Sequence, residues 1–138
     1  MINNRDEVVG FSDTLTLDPN AENFCALFGG DLPSPYTCVP FVWRDGVMSA
    51  PPTLGGNNGD ASGINNRGQV VGVAETNTTD PTCPPPQVFD FEAVIWGPSK
   101  GEIQELPPLS GDTLAAAGAI NDNGQAVGYV GELLTRSD

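Results

Sequence analysis

Ile64-Asn65-Asn66-Arg67-Gly68-Gln69-Val70-Val71-Gly72 decides how this chain is read, because nearly the same nine residues occur twice more, as Ile2-Asn3-Asn4-Arg5-Asp6-Glu7-Val8-Val9-Gly10 and Ile120-Asn121-Asp122-Asn123-Gly124-Gln125-Ala126-Val127-Gly128. Self-similarity at such a spacing marks a row of supersecondary units that share one core. In each copy a polar turn separates two short apolar segments, and the residue that closes the turn is Asp6, Gly68 or Gly124. A type I turn closed by a G1 bulge needs a positive φ there. Glycine adopts it freely, and Asp or Asn tolerates it best among the other residues. Asn3, Asn65 and Asn121 stand at the strand end before each turn, where an amide side chain holds the turn by bonding local backbone.

A second pattern alternates with the first. Phe41-Val42-Trp43 runs through a turn to Leu54-Gly55-Gly56, and Val94-Ile95-Trp96 runs through another to Leu109-Ser110-Gly111. Trp43 and Trp96 each end an apolar strand at the same place, so packing explains them better than sugar stacking. The stretch from Gly10 to Trp43 is longer than that from Gly72 to Trp96, which places a loop insertion at residues 14–38. Period-two alternation predicts strands at 61–65, 69–74, 92–96 and 102–106, and very little helix.

Four short strands per unit with a long loop in one constant place predict an all-β fold of tandem four-stranded antiparallel repeats, arranged as β-propeller-like blades in a partial array. A β-sandwich or open stacked sheets is the main alternative, and a β-solenoid the third. Residues 1–138 read as a single repeat domain: 1–63 is repeat 1 with its insertion, 64–119 repeat 2, and 120–138 a partial repeat 3. Closed propellers have at least about four blades. A homo-oligomer, or the remainder of a longer repeat array, is therefore expected to complete it.

Eighteen acidic against five basic residues give a net charge of −13. That field repels phosphate backbones and anionic headgroups, which argues against nucleic acid as a partner. No apolar run is long enough to span a bilayer, and no basic, apolar signal segment follows Met1, so neither membrane insertion nor an export signal is read in this chain. The chain has no histidine, which removes the commonest general base and imidazole ligand.

The three cysteines form no Cys-x-x-Cys pair, which disfavours zinc. A bridge between Cys25 and Cys38 within the insertion is expected, leaving Cys83 free or paired with another chain. A Cys38–Cys83 bridge is the alternative pairing, and three free thiols the alternative to any bridge.

No catalytic residues and no cofactor are assigned. Calcium is the one ion for which the oxygen-rich segments Asn57-Asn58-Gly59-Asp60 and Asn121-Asp122-Asn123-Gly124 are suited, although turn formation alone accounts for both. Asp18, Glu22 and Asp31 read equally well as a solvated charged surface. Binding is sought on the long loops, 14–38 and 75–91, where Phe24, Phe28, Tyr36, Phe89 and Phe91 lie among amides and carboxylates. Such aromatics would suit a saccharide or an extended protein segment. Anchoring the loops to the sheet is their plainer role. Asn77-Thr78-Thr79 matches a glycosylation acceptor.

The repeated segments resemble the HAF family of extracellular repeats, in which Ile-Asn-x-x-Gly-x-Val-Val-Gly precedes a His-Ala-Phe-Leu-Trp strand, a turn and a Leu-Gly-Gly segment. The resemblance spans residues 2–130. Val39-Pro40-Phe41 and Glu92-Ala93-Val94 stand where the family has His-Ala-Phe. It implies an exported or cell-surface protein without assigned catalytic activity. The functions considered are a non-catalytic module that binds a saccharide or protein through its long loops, a self-assembling protein of a surface layer or filament, and a fragment of a propeller glycoside hydrolase.

Overall fold

The computed structural model describes residues 1–27, 33–110 and 114–131. Strand accounts for 56% of the described residues and helix for 3%, so the fold is all-β, as the alternation of the sequence requires. The elements in order are β1 (Val8–Leu17), α1 (Phe24–Leu27), β2 (Tyr36–Arg44), β3 (Val47–Ser49), β4 (Gly55–Ile64), β5 (Val70–Thr79), β6 (Phe89–Trp96), β7 (Ile103–Leu106), β8 (Leu114–Ile120) and β9 (Ala126–Gly131).

They form three antiparallel sheets: β1-β2-β3, β4-β5-β6-β7 and β8-β9. Within each sheet, strands that are neighbours in sequence are neighbours in space. The first sheet packs on the second through β1 and β2 against β4, and the third packs on the second through β8 against β4, β5 and β6. No closed barrel or ring is formed by the described residues. No described helix is long and apolar enough to cross a membrane.

The register explains the repeated sequence. Val8, Val9 and Gly10 pair with Trp43, Val42 and Phe41, while Val70, Val71 and Gly72 pair with Trp96, Ile95 and Val94. The turn-closing residues have φ of 59° at Asp6, 81° at Gly68 and 81° at Gly124, the left-handed region foreseen for them. The glycine that ends the pattern has a different cause. The β4–β5 ladder shifts register between Ala61 and Gly63, and the β8–β9 ladder between Ala117 and Ala119. The displaced strand then crowds its partner, and a Cβ at Gly72 or Gly128 would overlap the carbonyl oxygen of Asp60 or Ala116.

Three apolar clusters hold the sheets together. Val9 and Val42 of the first sheet meet Ala61, Ile64, Val70 and Trp96 of the second, while Val71, Ala93 and Ile95 of the second meet Ala115 and Ala117 of the third. A further cluster at the loop end gathers Phe24, Cys25, Cys38, Val73, Cys83, Phe91 and Leu114.

The strands at 69–74, 92–96 and 102–106 lie within or close to the expected spans, but two loops were overestimated. Residues 57–60, read as a turn, belong to β4, which reaches back to Gly55 and pairs with β5. Residues 75–91 are largely a hairpin extension, with Glu75 opposite Phe91 and Thr79 opposite Phe89. Asn, Asp and Gly have poor strand propensity, and here ladder bonds supplied by neighbouring strands override it.

Candidate functional site

The insertion folds over the loop end of the second sheet. The expected Cys25–Cys38 bridge is present and ties α1 to β2. Beside it lies a buried knot of acids and amides. Asn58 sits at its centre, wholly buried on β4. Its Oδ1 accepts from the Cys38 N–H at 2.8 Å, which fixes the amide with its Nδ2 toward the acids. That Nδ2 lies 3.0 Å from Asp18 Oδ2, 3.4 Å from Glu22 Oε1 and 3.2 Å from Glu75 Oε1.

Gln87 is the second donor. Its Nε2 donates to Glu22 Oε2 at 3.0 Å, Glu75 Oε2 at 3.1 Å and the Phe89 carbonyl at 2.7 Å. Glu22 Oε2 also accepts from the N–H groups of Val88 and Phe89, and Asp18 Oδ2 from the N–H of Glu22. Three carboxyls from the insertion and β5 thus meet around two amide groups. The amide hydrogens are shared among the three acids.

Burial is the main cause that pushes the Glu75 carboxyl up to about 8. The neighbouring Glu22 charge adds to it, against hydrogen bonds from Asn57, Gln87 and Asn58. At neutral pH Glu75 therefore holds its proton. The reading of Asp18 and Glu22 as a solvated surface is overturned, since both are buried in this knot. Asp31 lies outside the described residues.

A second acidic group adjoins it. Ligand atoms of Asp80, Cys83 and Asp90 lie within 4.8 Å of one another. Asp80 Oδ1 accepts from the Thr82 N–H at 2.8 Å and the Thr82 hydroxyl at 2.6 Å. Burial first, then a hydrogen bond with Asp80 and its charge, raises Asp90 to about 6. Burial, followed by the charges of Asp80 and Asp90, pushes the Cys83 thiol up to about 12. The geometry suits two carboxyls sharing a proton. Two carboxyls and a thiol at this spacing are also a donor set that could hold a metal ion, whose binding would deprotonate the thiol.

Glu92 and Asp60 complete the set. Burial, with the Glu105 and Asp90 charges, raises Glu92 to about 7, and burial alone raises Asp60 to about 6.

The aromatic residues proposed for binding are divided between core and surface. Phe24 is fully buried and Phe91 buried, their rings edge to face with centroids 5.7 Å apart. Phe89 is half-buried and Tyr36 exposed, while Phe28 lies outside the described residues. Exposed apolar surface on the insertion comes instead from Leu15 and Leu17 of β1, with Leu17 opposite Tyr36 of β2. Leucine in a threonine-rich run is the sequence signal for this surface.

A cleft of about 500 Å³ lies near the other end of the first two sheets, lined among others by Val42, Arg44, Pro52, Trp96, Lys100 and Glu102. Trp96 itself is buried there, its Nε1–H donating to the Pro52 carbonyl at 2.8 Å, whereas Trp43 at the equivalent place in the first sheet is partly exposed.

The repeated asparagines do more than hold turns. Asn65 Oδ1 accepts from the N–H groups of Arg67 and Gln69, and Asn3 and Asn121 do the same in their own turns. Their Nδ2 groups also link the sheets: Asn3 donates to the Asn65 carbonyl at 3.0 Å, and Asn65 to the Asn121 carbonyl at 2.9 Å. In the Asn121–Gly124 segment, Asp122 accepts from the Asn66 N–H and Nδ2, which holds its carboxyl below the usual range.

Comparison with protein-family models, curated proteins and solved structures found no match.

Proposed function

We propose that this chain is a non-catalytic, exported or cell-surface repeat module of the HAF type, whose sheets are propeller-like blades in a partial array and whose insertion hairpin binds a protein or saccharide partner. The observation that carries the reading is the outer surface of the β1–β2 hairpin. Leu15, Leu17 and Tyr36 are exposed on a segment made rigid by the Cys25–Cys38 bridge and by the Asp18, Glu22 and Asn58 contacts beneath it. A rigid loop carrying an apolar group with an aromatic edge is a common recognition surface. The bridge also fits an oxidising compartment.

The acids support a structural role rather than hydrolysis. Glycosidases hold two carboxyls roughly 5 to 10 Å apart around a substrate. Glu22 and Glu75 are instead buried on shared amide donors, and Asp80 and Asp90 approach one another within 4.8 Å. A second reading, a self-assembling protein of a surface layer or filament, is favoured by the apolar sheet faces exposed at both ends of the stack.

Binding to a panel of immobilised polysaccharides and cell-surface proteins tests the first reading, with Leu15→Ser/Leu17→Ser and Tyr36→Ser as controls. Binding weakened at least ~10-fold by these changes is expected. No binding to any member of the panel, or binding that the variants leave intact, would overturn it. Turnover of chromogenic glycosides would overturn the non-catalytic assignment.

A further inference from the structure

The asparagine ladder runs in one direction and is open at both ends. Asn3 donates to Asn65 and Asn65 to Asn121, while the N–H of Asn4 donates to Asn66 Oδ1 and that of Asn66 to Asp122 Oδ1. At the Asn121 end, among the described residues, the Nδ2 of Asn121 makes only the bond to Gln125 of its own turn, and the N–H of Asp122 makes no such link to a further turn. At the Asn3 end, among the described residues, the Asn3 carbonyl accepts only from the Asp6 N–H, whereas the Asn65 and Asn121 carbonyls each accept a turn N–H and a neighbouring Nδ2. One end therefore presents two donors, and the other presents the two matching acceptors, Asn3 O and Asn4 Oδ1.

The apolar faces match in the same way. Ile2, Ile64 and Ile120 pair with Val8, Val70 and Ala126, so Val9, Val71 and Val127 hold one position in the three sheets. Val9 and Val71 face the following sheet and are 2% and 0% exposed, but Val127 is 67% exposed and Tyr129 beside it also 67%. On the opposite face, Ile64 and Trp96 are 8% and 3% exposed against the first sheet, whereas their counterparts Ile2 and Trp43 are 59% and 36% exposed. Each open face is thus one half of an interface that the molecule already builds inside itself.

We propose that the β9 face of one chain docks on the Ile2, Trp43 face of a second copy, head to tail, with Asn121 Nδ2 donating to the partner copy's Asn3 carbonyl and the Asp122 N–H to its Asn4 Oδ1. The contact continues the sheet stack of one molecule into the next at the internal register. It is heterologous, so it extends into a filament or closes into a ring according to the rotation per copy. The proposal rests on the self-assembly reading and is independent of partner binding by the insertion hairpin.

Sedimentation velocity over a wide concentration range, on the full chain, tests it. Reversible association beyond the dimer, or a closed ring of defined size, is expected. Val127→Glu and Ile2→Glu each block one face at an exposed position, and each alone should be monomeric with an unchanged circular dichroism spectrum, association weakened by at least ~30-fold. Mixed in equal amounts, they should form a one-to-one dimer, because each retains the face that the other lacks. Tyr129→Glu and Met48→Glu serve as second variants of the two faces should either first choice fail to fold. A wild-type chain that stays monomeric throughout overturns the proposal, as does a mixture that fails to pair. Leu15→Ser/Leu17→Ser should associate like the wild type. If that variant is the one that dissociates, self-assembly survives but this docking face does not.

Discussion

The side-chain amide of Asn3 donates to the main-chain carbonyl of Asn65 at 3.0 Å, a bond between residues that occupy the same place in successive sheets. Because Asn65 repeats it on Asn121, one residue type both closes each turn and joins each turn to the next.

Replacement of Asn65 is accordingly expected to cost more than an ordinary turn substitution. Asn65→Ala removes the one oxygen that accepts two backbone N–H groups, and two donor bonds, to Gln69 and Asn121. A loss of about 2–3 kcal/mol is expected in chemical denaturation. Asn65→Asp keeps that oxygen and loses the donors, so about half of that loss is expected. No loss for Asn65→Asp would show that the link to Asn121 contributes nothing.

Gly72→Ala should destabilise by about 3 kcal/mol or more, since its Cβ has no room beside the Asp60 carbonyl on the paired strand. Gly46→Ala is the control: it stands at a φ of 81° with nothing near its Cβ, and should cost only about 1 kcal/mol from backbone strain. Urea midpoints for the pair check whether close approach, rather than loss of glycine as such, sets the penalty.

Reduction of the Cys25–Cys38 bridge should remove about 3 kcal/mol, from the sequence separation of 13 residues that it closes. Titration of the folded, oxidised protein with a thiol reagent near neutral pH should register almost no reaction. One thiol should appear on unfolding, because Cys83 is buried and its thiol is pushed up to about 12. Rapid labelling of native protein would contradict the placement of Cys83 in the loop-end cluster.

Stability should fall as pH rises from about 4 to about 8. In the folded chain Asp60 titrates near 6, Glu92 near 7 and Glu75 near 8, each above its ordinary value, so folded molecules hold protons that unfolded ones have released. Their contribution is complete below the unfolded pKa and lost as pH passes through the folded values. Asp122, held low by its bonds from Asn66, has the opposite sign and weakens the fold only in more acid solution. Calorimetry should place the highest Tm near pH 4–5, and Glu75→Gln should flatten the decline toward pH 8. Added salt screens surface repulsion from the net charge but not the buried acids, so a decline abolished by 0.5 M salt would assign it to the surface instead.

What the sequence determined by itself is whatever is decided within a few residues. The positive φ at Asp6, Gly68 and Gly124 and the turn-holding bonds of Asn3, Asn65 and Asn121 follow from local sterics and side-chain length, and three near-identical copies display them. The Cys25–Cys38 bridge lies between the two cases: the sequence favours a short loop closed within one insertion but leaves Cys38–Cys83 open, and the fold selects the former. Tertiary structure decided the rest. Asp18 and Glu22 look like solvated charges until Asn58, Glu75 and Gln87 arrive from positions up to 65 residues away, and Phe24 looks free until Phe91 meets it. Neither burial nor a shared amide donor leaves a mark on the local sequence, because both arise only when the insertion folds over the neighbouring sheet.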